Sequence, residues 1–70
     1  MNEHTTFAVY TDVDSRDLTG GRLLHYCGSW DEAVAVAKRN PSPSGTVTVA
    51  SAYHEREDRV IDHWVNRRNR

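Results

Sequence analysis

The chain predicts an α+β fold of order ββαββ: a four-stranded, mainly antiparallel sheet with one helix on one face. Three observations carry that expectation. A capped amphipathic helix sits in the middle of the sequence, period-two runs of β-branched and aromatic residues flank it, and seventy residues fill only one core. A chain of this size buries roughly 60% of its unfolded surface, so residues 1–70 are read as a single domain.

The first strand is Thr5 to Thr11, where Phe7, Val9 and Thr11 alternate with Thr6, Ala8 and Tyr10. Alternation in such residues is the signature of a strand. Asp12 to Gly21 is polar and ends in a glycine pair. Glycine supplies positive φ, and Asp and Ser bond their own backbone in turns, so this is a hairpin loop. Arg22 to Cys27 follows as the second strand.

Ser29 with Glu32 has capping-box spacing: the hydroxyl accepts from the third helical N–H and the carboxylate reaches back. Asp31 and Glu32 complement the positive end of the helix dipole. Trp30, Ala33, Val34 and Ala37 recur at i, i+3, i+4 and i+7 on one apolar face. Lys38 and Arg39 suit the C-terminal end, Asn40 suits a left-handed cap, and Pro41 cannot continue the helix. After the stiff connector Pro41 to Gly45, Thr46 to Tyr53 alternates as the third strand.

Arg59 to Asn66 is ambiguous, because Val60, Ile61, Trp64 and Val65 fit helical spacing and are equally β-formers. A strand is preferred here. A tight hairpin at Arg56-Glu57-Asp58 then sets Tyr53 opposite Ile61, Ser51 opposite His63 and Val49 opposite Val65. In that arrangement Phe7, Val9, Leu23, Val47, Val49, Ser51, Tyr53, Ile61, His63 and Val65 lie beneath the helix. The uncovered face carries Tyr10, Leu24, Tyr26, Val60 and Trp64, with Ala50 and Ala52 beside them. A one-residue slip would exchange the faces.

One helix shields one side of a sheet, and an apolar aromatic patch on the other side marks a contact surface. Small cores also gain from association, and Cys27, the single cysteine, has no intrachain disulfide partner. The expected function is therefore that of a non-enzymatic interaction, accessory or inhibitor module. It would bind a protein partner or itself, as a homodimer, through Tyr10, Leu24, Tyr26, Val60 and Trp64.

The alternative is a nucleic-acid-associated accessory protein. It would use Arg67, Arg68 and Arg70, in a short flexible tail spanning 67–70, to grip phosphates. A net charge of −1 argues against a polyanion-binding field over the whole molecule.

No catalytic, cofactor or metal site is expected. Asp12-Val13-Asp14-Ser15-Arg16-Asp17 resembles the opening of a calcium loop, but Arg16, Asp17 and Leu23 occupy positions that need an oxygen ligand, a glycine and a carboxylate. His54 and His63 meet at most as a surface pair across the last hairpin, and no Cys–His spacing fits zinc. His25 and Cys27 share a strand face without a recognisable oxyanion hole or orienting group. No apolar run is long enough to span a membrane, and a lone free thiol fits a reducing, cytoplasmic setting.

Ser29-Trp30-Asp31-Glu32-Ala33, Gly45-Thr-Val-Thr-Val and the charged turn before Arg59-Val60-Ile61 resemble, over residues 7 to 66, small uncharacterised ββαββ proteins of actinobacteria and their phages. Eight arginines against one lysine and the absence of glutamine have the bias of GC-rich coding sequence. The resemblance implies the element order and carries no activity or site residue with it.

Overall fold

A computed structural model describes residues 4–66. It contains β1 (Thr5–Asp14), β2 (Gly20–Cys27), α1 (Trp30–Arg39), β3 (Thr46–His54) and β4 (Arg59–Asn66). The strands form one antiparallel sheet in the order β2-β1-β3-β4, which is the expected ββαββ arrangement. The ambiguous last segment is a strand. Since β2 and β3 each run antiparallel to β1, they are parallel to one another, and α1 crosses over β1 to join them.

The helix forms where its caps specify it. Ser29 Oγ accepts from the Glu32 N–H at 3.2 Å, and Glu32 Oε1 accepts from the Gly28 N–H at 3.1 Å, one residue earlier than the usual box. Asn40 does not adopt the left-handed cap, its φ being −131°. It caps instead with its side chain, whose Nδ2 donates to the Val36 carbonyl at 2.7 Å. The Thr48 hydroxyl on β3 donates to the Asn40 carbonyl, which ties the helix end to the sheet.

Ala33 and Ala37 of the helix are fully buried against Val9 and Ala50, with Phe7, Cys27, Trp30, Val34, Val36 and Trp64 around them. The helix has thus settled on the face that carries the smaller central side chains. Alanine against alanine lets its backbone approach closely, and the larger Trp64 fills the flank. Phe7 and Val9 lie beneath the helix as expected, but on β3 and β4 the choice is reversed: Val47, Val49 and Tyr53 lie on the uncovered face, and Ala50 and Trp64 lie beneath the helix.

Three irregularities move residues between faces, because each extra residue shifts side chains relative to the partner strand. Val9 pairs with His25 but Tyr10 pairs with Leu23, so Leu24 is extra and Leu23 shares the face of Tyr10. Tyr10 pairs with Val49 and Val13 with Val47, leaving Thr11 and Asp12 unmatched toward β3. Asp12 there takes a φ of 60°. Ala52 pairs with Asp62 but Tyr53 with Val60, so Ile61 is extra. The expected pairs Ser51–His63 and Val49–Val65 form, and Tyr53 faces Val60 in place of Ile61.

The first hairpin is longer than the sequence pattern implies, with strand pairing out to Asp14 and back from Gly20. Gly21 makes this possible. Its φ is +96°, and a β-carbon there would lie 2.6 Å from Val13 Cγ2.

Candidate functional site

The uncovered face is built from alternate positions of all four strands. Tyr10 and Val13 on β1, Val49, Ser51 and Tyr53 on β3, and Val60 and His63 on β4 line an open groove of about 500 Å³, together with Leu18 and Gly20 of the first hairpin. Val13, Val47 and Val49 are buried at its base, with Tyr10 and Val65 packed against them. Leu23 and Tyr26 stand on the β2 side of the same face, opposite Tyr10 and Ala8. Tyr26 is 61% exposed and Val60 53%.

Of the five residues expected on this face, Tyr10, Tyr26 and Val60 are there. Leu24 occupies the β2 bulge and is exposed. Trp64 is not part of the face: it pairs with Ala50, packs into the core under α1, and has Lys38 Nζ 5.8 Å from its ring centroid. The bulge at Ile61 separates Val60 from Trp64, which strict alternation would have kept together. Leu23, Val49, Tyr53 and His63 belong to the face and were not anticipated there as a group. Arg67, Arg68 and Arg70 lie outside the described residues.

One groove residue is held from beyond the sheet. The Tyr53 hydroxyl donates to Asp58 Oδ1 in the β3–β4 turn. That bond, then burial and the charge of Asp58, push the phenol above its ordinary value, because the carboxylate favours the protonated ring.

The acidic loop is occupied by its own turn. Asp14 Oδ1 accepts from the Arg16 N–H at 2.8 Å, Asp17 Oδ1 accepts from the Thr19 N–H and hydroxyl, and Asp12 Oδ2 meets Arg22 at 3.4 Å. The Arg16 N–H and guanidinium hold the Asp14 carboxyl below its usual range.

His54 and His63 are not brought together. His63 faces Ser51 in the groove, while His54 pairs with Arg59, stacks obliquely on His4 at 6.3 Å between ring centroids, and accepts from the Glu57 N–H through Nδ1.

On the helix side, at the β2 edge, His25 and Cys27 sit on alternate positions of the strand and Glu32 reaches them from the first turn of α1. One donor atom from each lies within 4.8 Å of the others. Burial, and then the charge of Glu32, push the Cys27 thiol up, which is the wrong direction for a nucleophile.

Among the described residues, no helix is long and apolar enough to cross a membrane. Comparison with protein-family models, with curated proteins and with solved structures finds no match to this chain.

Proposed function

We propose that this protein is a non-catalytic interaction module whose uncovered sheet face binds a second copy of the same chain. The observation that carries the reading is the groove over Val49, with Tyr10, Tyr53, Val60 and His63 along it and the exposed Leu23 and Tyr26 beside it. A two-fold dimer presents the same patch twice. The groove lining contains no Asp, Glu, Lys or Arg, so the groove itself meets its own copy without like charges opposed. Tyr26 is the projecting knob, and the groove of the second copy is the hole that receives it.

Area is consistent with this occupant. Four strands about 4.8 Å apart and eight residues long cover roughly 500 Å² in projection. Side-chain relief brings that near the low end, about 600 Å² per partner, of a specific interface. The dimer therefore uses the whole face rather than the groove alone. Edge-to-edge pairing is the poorer alternative, because β2 and β4 each carry a bulge, and bulged edges resist strand addition.

Sedimentation equilibrium tests the reading. The wild type is expected to shift from monomer toward dimer mass across the micromolar range. Val60→Asp is expected to weaken association at least about tenfold, equivalent to about 1.4 kcal/mol. Its neighbour Ile61→Asp, outside the groove lining, keeps the wild-type behaviour. A wild type that stays monomeric at high micromolar concentration, or equal loss in both variants, overturns the proposal.

A further inference from the structure

We infer that His25, Cys27 and Glu32 form a binding site for a thiophilic divalent cation of the zinc class. The site is on the helix side of the β2 edge, away from the face assigned to self-association, and does not depend on that assignment.

Position comes from two backbone constraints. His25 and Cys27 are separated by one residue on β2, pair with Val9 and Phe7 of β1, and so project from the same face. Glu32 is fixed by the capping contact of its Oε1 with the Gly28 N–H at 3.1 Å, which leaves Oε2 to ligate. The donors lie within 4.8 Å of one another, while neighbouring donors in a tetrahedral zinc centre are about 3.3–3.8 Å apart. His25 is exposed, so its side chain can close that difference by rotation while Glu32 keeps its cap. Cys27 is half-buried against the core that includes Phe7 and Trp30, which gives the site an apolar floor and an opening to solvent.

The donor set selects the ion. One sulfur, one imidazole nitrogen and one carboxylate oxygen suit zinc, whereas magnesium and calcium need shells of oxygen. Three protein ligands leave the fourth position to water. On binding, the Cys27 S–H bond breaks, its proton passes to solvent, and the sulfur lone pair forms the bond to the metal. No electron is transferred. The bound ion would clasp the end of β2 to the start of α1.

Cobalt(II) added to the reduced, metal-free full chain reads the geometry directly, and competition with zinc gives the affinity. Expected are the intense visible bands of a tetrahedral ion, a thiolate-to-cobalt charge-transfer band in the near ultraviolet, and loss of both when zinc is added. Cys27→Ser should abolish the charge-transfer band and weaken zinc binding more than about 100-fold, since losing even an outer partner costs about 10–100-fold. Glu32→Gln keeps an amide able to cap the helix and should weaken zinc binding about tenfold or more. His54→Ala, which alters the ring pair of His4 and His54, should leave the spectrum unchanged. Circular dichroism of each metal-free variant verifies that it is folded. A spectrum of six-coordinate cobalt without the charge-transfer band, or one that survives in folded Cys27→Ser, overturns the site.

Discussion

The side-chain amide of Asn66 donates to the carbonyl of Ala37 at 2.6 Å, joining the end of β4 to the last turn of α1. Two positions earlier on β4, Trp64 packs into the core beneath that helix. The last strand is thereby committed, by one hydrogen bond and one aromatic ring, to the covered side of the sheet. Its alternate residues His63 and Val65 are committed to the bare side.

Removing either anchor should loosen the helix without touching the groove. Asn66→Ala should cost about 1 kcal/mol. Trp64→Ala should cost about 2–3 kcal/mol, less than the roughly 3–5 of a fully buried aromatic because the ring is only partly buried. Urea unfolding monitored by circular dichroism measures both. The folded fraction of each variant should self-associate as the wild type does, which separates a packing role for Trp64 from a role at the interface.

Tyr53 should titrate later than an ordinary phenol, because its hydroxyl donates to Asp58. Ultraviolet difference titration should show Tyr53 delayed, and Asp58→Asn should bring it down. Asparagine keeps the left-handed backbone at this position, where φ is 55°. The bond's contribution to stability is present at neutral pH, below the unfolded value. It is lost as the pH rises through the raised value of the folded state. Alkaline unfolding of the two proteins should therefore differ less above that value than below it.

The two glycines of the first hairpin should respond unequally. Gly20→Ala meets open space at a φ of +72° and should cost about 1–2 kcal/mol from backbone strain alone. Gly21→Ala adds a β-carbon 2.6 Å from Val13 Cγ2 and 3.2 Å from the Thr11 carbonyl. It should cost clearly more, because Val13 is already buried at the base of the groove and must move. Thermal melting of the pair measures the difference. Equal costs would mean that Val13 is not held against the hairpin.

The element order was legible because each element states itself locally. Ser29 and Glu32 mark the start of the helix, Pro41 its end, and alternation marks Thr5 to Thr11 and Thr46 to Tyr53. The allocation of faces was legible on β1, where Phe7 and Val9 lie beneath the helix and Tyr10 on the bare side, but not on β3. Both sides of β3 are apolar, so only volume decides, and the helix took the side with Ala50. Bulges at Leu24 and Ile61 leave no trace in a period-two pattern, yet each reassigns residues beyond it; Val60 and Trp64 were separated in this way. The pairing of His25 with Cys27 could be read from strand spacing. Glu32 could be read as a capping residue, but its approach to Cys27 depends on how the chain turns at Gly28 and Ser29.

The most direct measurement is an isotope-filtered nuclear Overhauser experiment on a mixture of labelled and unlabelled chains. The account predicts intermolecular contacts from the rings of Tyr10, Tyr26 and Tyr53 to the methyl groups of Val49 and Val60. Contacts confined to the β2 or β4 edge, or no intermolecular contacts at a concentration where the mass is dimeric, would contradict it.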